Sequence, residues 1–144
     1  MPDDRVLVTG AAGFIGFHVA QQLLSAGRKV VGLDSVNDYY DPKLKEARLQ
    51  MLERIPGFTF FKMNLTDRSG MKTLFAQHRF PLVIHLAAQA GVRHSLEHPH
   101  AYVDANLEGF LNVLEGCRHN GCRHLVFASS SSVSTASTTI MIRS

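Results

Sequence analysis

The residues best placed to do chemistry are three glycines at a fixed spacing and one acid. Gly10, Gly13 and Gly16 stand in Thr9-Gly10-Ala11-Ala12-Gly13-Phe14-Ile15-Gly16, directly after the apolar run Val6-Leu7-Val8. If that run is a strand and Phe14 to Ser25 a helix, the turn puts the open N–H groups of a helix start at the strand's carboxyl end. A diphosphate binds well there, because unpaired amides and the helix dipole both favour negative charge. Gly10 would permit the tight turn, Gly13 the close approach of phosphate, and Gly16 the close packing of helix on sheet. Phe14, Ile15 and Gly16 open the helix, so their amides belong to the same candidate site.

The acid is Asp34, eighteen residues beyond Gly16, at the end of a second β-like run, Lys29 to Leu33. A carboxylate in that position accepts hydrogen bonds from ribose hydroxyls and repels a 2′-phosphate, which reads as NAD rather than NADP. Glycines by themselves mark ordinary turns. The combination with strand order and Asp34 makes a dinucleotide site the expectation.

The elements that must hold these residues follow from periodicity. Pro42 suits the first turn of a helix over Lys43 to Arg54, with apolar residues at Leu44, Ala47, Leu49 and Leu52, and Pro56-Gly57 stops it. Phe58 to Met63 reads as a third strand, and Asp67 as the cap of a helix over Arg68 to His78. Leu82 to Leu86 is a fourth strand whose apolar continuity predicts burial on both faces. Small residues follow it, Ala87-Ala88-Gln89-Ala90-Gly91, with room for a ring and a ribose. A long helix is expected from about Pro99 to Asn120, carrying Tyr102, Leu107, Phe110, Leu111, Val113 and Leu114 as its stripe. Leu125 to Ala128 would be the fifth strand. Strands alternating with helices and joined by right-handed crossovers give an α/β fold with a doubly wound parallel sheet, order 3-2-1-4-5, truncated after about the fifth strand.

Composition sets bounds. At 144 residues with 45% hydrophobic content the chain fits one domain. The net charge is +3, but the basic residues are scattered and without interleaved aromatics, so no nucleic-acid partner is expected. The acidic N-terminus lacks a secretory apolar region and no run of eighteen apolar residues occurs, so no membrane association and a cytoplasmic location are expected. Cys117 and Cys122 read as reduced, partly buried thiols. His94, His98 and His100 cluster without a carboxylate–histidine framework, so no metal is expected. His85, on a core strand, reads as buried and hydrogen-bonded rather than as an acid or base. Arg93 is either a solvated loop residue or a bidentate contact for a substrate phosphate or carboxylate.

With TGAAGFIG, the acid after strand two, HLAAQAGVR at 85–93 and ASSSSV at 128–133, the chain resembles the extended short-chain dehydrogenases/reductases, which have a Rossmann-like fold. Within them it is most similar to the UDP-glucuronate 4-epimerases, through the loop Asn37 to Lys45 and the run Ala88 to Arg93. The resemblance implies NAD-dependent inversion at C4 of a UDP-linked uronic acid through a 4-keto sugar. It implies that Leu86, Ala87 and Ala88 pack along the NAD and that Asn106 lines the cofactor site. It puts Asn64-Leu65 near the adenine, where the family usually has Asp and an apolar residue, so weaker binding is expected there. Ser130 matches the serine that hydrogen-bonds the sugar hydroxyl, with Ser132 as its neighbour.

The resemblance runs over about residues 5–133, and Ser134-Thr135 stand where the family continues Tyr-Gly. The family's YxxxK pair, whose Tyr removes the 4-OH proton, falls about two dozen residues beyond the Ser. That pair and the substrate domain are expected to be absent, which would make the chain inactive alone. Residues 1–133 then form an incomplete NAD-binding domain and 134–144 a Ser/Thr-rich divergent tail, poorly ordered or a marginal strand. A shift of reading frame, an engineered end or a natural short form would each account for that tail. A related dehydratase or decarboxylase half, or a non-catalytic dinucleotide-binding module, are the alternatives. The open sheet edge is expected to drive association, as a homodimer or as aggregate.

Overall fold

The computed structural model describes residues 5–36, 42–87, 99–100, 104–128 and 138–140. β1 (Val6–Thr9), β2 (Val30–Asp34), β3 (Phe58–Lys62), β4 (Leu82–His85) and β5 (His124–Phe127) alternate with α1 (Phe14–Ser25), α2 (Pro42–Glu53), α3 (Arg68–His78) and α4 (Gly109–His119). A three-residue strand, β6 (Thr138–Ile140), closes the list. The sheet runs β3-β2-β1-β4-β5-β6. All pairs are parallel except β5 with β6, where Leu125 opposes Ile140. The doubly wound order is therefore as expected, and the sheet extends one antiparallel strand past the fifth.

Alternation along the strands sends side chains to two cores. Leu7, Val31, Leu33, Val83 and Leu125 meet α3 and α4 through Met71, Leu74, Phe75, Val113 and Cys117. Val6, Val8 and Val30 meet α1 and α2 through Phe17, Ala20, Leu24 and Leu52 on the other face. β1 and β2 are buried throughout, as parallel strands between two helical layers must be. β4 departs from the expectation: Val83 and His85 are buried, but Leu82 and Ile84 only half so. Both belong to the α1 side, where α1 packs on β1 and β2 and α2 on β3. Among the described residues, helical coverage on that side thins beyond β1.

Two helical stripes also differ from their sequence readings. On α2 the buried positions are Lys45, Leu49 and Leu52, whereas Leu44 is half exposed and Ala47 lies outward. A lysine takes the expected leucine's place because it has a buried ionic partner. The long helix is not continuous: Pro99 and His100 are helical, Asp104–Glu108 form a π-helical turn, and α4 begins at Gly109. Its buried stripe is Val113, Gly116 and Cys117, with Phe110 and Leu114 at the margin, while Leu107 and Leu111 are exposed. Tyr102 lies outside the described residues.

Local signals terminate the elements as their chemistry requires. Asp67 Oδ1 accepts the Gly70 N–H at 3.1 Å and caps α3. Gly121, at φ 72°, turns the chain after α4. Cys117 and Cys122 are both free and buried, and a hydrogen bond between them, with burial, holds the proton on Cys117 and raises its pKa.

Gly116 lets α4 lie on α3, since a β-carbon there would strike the Phe75 ring. Gly116→Ala is expected to destabilise the fold by about 1–3 kcal/mol through overpacking, read from the urea midpoint at unchanged slope.

Candidate functional site

The glycine turn is built by contacts to both neighbouring strands. Gly10 adopts φ 73°, and its N–H donates to the Leu33 carbonyl at 2.7 Å. A β-carbon on Gly10 would sit 2.9 Å from the Ala87 nitrogen, so side-chain-free backbone is needed beside the β4 exit. A β-carbon on Gly16 would land on the Gly10 carbonyl oxygen, so α1 can start where it does only with glycine there. α1 has Gly13 at its N-cap, no side chain capping it and no acid in its first turn. The first-turn residues Phe14 and Ile15 are 66% and 62% exposed. Among the described residues no side chain caps the amides at this helix start, which suits them to an external acceptor.

Asp34 lies beside this turn, almost wholly buried. Its Oδ2 accepts the Ala12 N–H at 3.1 Å and its Oδ1 the Val36 N–H at 2.8 Å. Lys45 Nζ stands 3.7 Å from Oδ1 and is itself buried. A carboxylate offers about four lone-pair positions, so these partners leave room for a hydroxyl donor from outside. Val36 adopts φ 51°, a conformation a β-branched residue takes only under constraint, and its bond to Asp34 is such a constraint. The Arg48 guanidinium donates to the Ala12 carbonyl at 3.1 Å and lies 5.9 Å from the centre of the Phe14 ring. Ala12 is thus gripped at both ends, by an acid from β2 and a base from α2.

On the other flank the carboxyl ends of β1 and β4 are tied by a buried pair. Thr9 Oγ1 lies 2.7 Å from His85 Nδ1 and accepts the N–H groups of Leu86 and Ala87 at 3.0 and 3.1 Å. With both amides donating to it, the hydroxyl proton points at His85, which must accept at Nδ1 and carry its own proton on Nε2. The His85 ring stacks on Phe110, centroids 5.2 Å apart. Burial lowers its pKa from 6.5 to about 4.

Gly10, Gly13, Phe14, Ile15, Gly16, Asp34, Leu86 and Ala87 therefore gather at the carboxyl ends of three adjacent strands. Asn64 follows β3, exposed, with its Oδ1 accepting from the Thr66 amide and hydroxyl at 3.0 and 2.9 Å. Leu65 is buried, and its carbonyl accepts Asn112 Nδ2 at 2.7 Å. Asn106 is half-buried in the π-helical turn. Ala88, Arg93, Ser130 and Ser132 lie outside the described residues. Sequence reasoning missed Thr9, Lys45 and Arg48. The last two were readable in principle, since Lys45, Arg48, Leu49 and Leu52 share one helical face. The sequence also holds one Tyr and Lys at YxxxK spacing, Tyr39 and Lys43, but these precede Ser130 by some ninety residues, and Lys43 belongs to the first turn of α2.

A crevice at the reversal of strand order, with a glycine turn and an acid ending the next strand, is the place where open α/β sheets bind dinucleotides. The family model described as NAD dependent epimerase/dehydratase matches residues 6–143. The chain belongs to the NAD dependent epimerase/dehydratase family. Among curated members it is similar to an uncharacterized 37.6 kDa protein of Escherichia coli O111:H-, 60% identical over 90% of this chain and 38% of the relative. It is 48% identical to a UDP-glucuronate 4-epimerase of Thermodesulfobacterium geofontis, over 88% of this chain and 39% of that one. Among solved structures, the UDP-glucuronic acid 4-epimerase of Bacillus cereus in complex with UDP-glucuronic acid and NAD superposes with a TM-score of 0.81 at 35% identity, covering 90% of this chain and 41% of that one. This member of the family spans about two fifths of the length of each. No helix among its described residues is long and apolar enough to cross a membrane.

The Thr9–His85 tie has a pH signature. His85 binds a proton more weakly folded than unfolded, so stability is full above pH 6.5 and is lost as pH falls towards about 4. His85→Asn keeps an acceptor for Thr9 and removes the titration. Between pH 6.5 and 4 the parent chain is expected to lose about 3 kcal/mol more than this variant, measured by urea unfolding.

Proposed function

We propose that this chain is the NAD-binding part of a UDP-glucuronate 4-epimerase-like protein. The observation that carries the reading is the uncapped start of α1 beside Asp34, whose carboxylate is already oriented by the Ala12 amide. The residues fit the dinucleotide. Amides of Phe14, Ile15 and Gly16 would hold the diphosphate, Asp34 an adenosine-ribose hydroxyl, and Leu86, Ala87 and Ala88 would pack along the cofactor, with Asn64 and Leu65 towards the adenine and Asn106 at the site wall. When bound, NAD supplies the hydride acceptor for C4 of a UDP-linked uronic acid.

Ser130, with Ser132 beside it, would hydrogen-bond the sugar hydroxyl, and Arg93 would pair with substrate phosphate or carboxylate. The proton at the 4-hydroxyl needs a general base, typically worth 10²–10⁴-fold in rate. We assign this stretch, residues 1–133, the cofactor-binding role.

Calorimetric titration tests the assignment. NAD+ is expected to bind and UDP-glucuronate to bind little, and binding of neither ligand overturns the reading. Asp34→Ala removes a charged hydrogen-bond acceptor and is expected to weaken NAD+ by about 1.5–3 kcal/mol, roughly ten- to hundredfold.

A further inference from the structure

A diphosphate held by backbone amides needs the peptide units around those amides turned the right way, and glycine imposes little preference of its own. The unit between Ala12 and Gly13 lies directly before α1 and is bonded at both ends. Its N–H donates to the Gly10 carbonyl at 3.0 Å, and its oxygen accepts Arg48 Nη1 at 3.1 Å. Gly13 is the N-cap, in extended conformation, so its torsions set where the amides that follow it point. The Arg48 guanidinium also lies 5.9 Å from the centre of the exposed Phe14 ring. One planar group thus spans the residues on either side of the N-cap. Its helix is itself anchored: Leu49 and Leu52 are buried, and Lys45, one turn earlier on the same face, stands 3.7 Å from Asp34.

We propose that Arg48 is a positioning residue for the cofactor diphosphate, fixing the Ala12–Gly13 peptide from α2 so that the first amides of α1 stand ready. The inference rests on the reading that this turn takes the diphosphate of NAD. Arg48 acts through Ala12 and not on the ligand. Without it the buried Ala12 carbonyl loses its partner, and the peptide unit can rock about Gly13, where no β-carbon resists. The amides of Phe14 and Ile15 then have to be ordered as the ligand arrives, and that ordering subtracts from affinity. Asp34 belongs to a separate tie. It holds the Ala12 N–H, which is on the preceding peptide unit, and keeps its bond from the Val36 N–H. Loss of Arg48 therefore falls on the diphosphate half of the nucleotide and spares the adenosine half.

Titration of the whole chain with ADP-ribose, which carries the diphosphate, and with adenosine, which lacks it, is the test. The proteins are the parent, Arg48→Met and Arg48→Lys, with adenosine followed by ligand-observed NMR. The parent is expected to bind ADP-ribose the more tightly. Arg48→Met is expected to weaken ADP-ribose about tenfold, the scale of one charged hydrogen bond, and to leave adenosine within about twofold. Arg48→Lys keeps a donor but on a flexible stem without a planar face, and is expected to weaken ADP-ribose about threefold. A merely structural role would weaken both ligands alike, and that result overturns the inference. So does an unchanged ratio of the two constants in a folded Arg48→Met. If that variant does not fold, the ratio in Arg48→Lys decides in the same way, and failure of both to fold marks Arg48 as structural and also overturns it. A parent that binds neither ligand, or ADP-ribose no more tightly than adenosine, removes the underlying reading as well.

Discussion

The hydrogen bond from the Ala12 amide to Asp34 is the constraint from which the site follows. It joins the turn after β1 to the last residue of β2, and both partners are buried, so the bond competes with little solvent. Breaking it would leave an ionised carboxylate and a backbone donor short of a partner in a low-dielectric place, which is costly. The turn is therefore held in the one shape that leaves the α1 amides pointing outward. Arg48 closes the other end of Ala12, so the loop is fixed by two charged groups from different elements. An anion site made of backbone needs this, because it has no side chain of its own to adjust.

A second tie works in parallel on the far side of β1. Thr9 gathers the two amides that leave β4 and offers its proton to His85. The crevice between the β1 and β4 exits is consequently shaped by hydrogen bonds among buried side chains and the backbone that leaves β4. His85 is held neutral by burial and stacks on Phe110, which links the crevice to the α4 layer. The whole rim is pre-organised from beneath.

The two faces of the sheet are finished to different degrees. On the α3–α4 side the aromatic pair Phe75 and Phe80 fills the core, and Gly116 brings α4 down on it. On the α1–α2 side the half-buried Leu82 and Ile84 mark where helical cover thins among the described residues.

Much was legible before any coordinates. The glycine spacing, the acid after the second apolar run and the alternation of strand and helix patterns rest on local rules, so α1, α3 and the order 3-2-1-4-5 could be read directly. Apolar residues at Leu44 and Ala47 misled, since helical spacing says which residues share a face but not which face is buried. Only the tertiary structure decided that Lys45 goes inward, because its partner lies eleven residues away on another element and burial of a charge depends on finding that partner. The same holds for the pairing of Thr9 with His85, seventy-six residues apart. The chain's own residues settled where a diphosphate could sit, by backbone geometry. The charge that surrounds it was settled by packing, since electrostatics acts through space and not along the sequence.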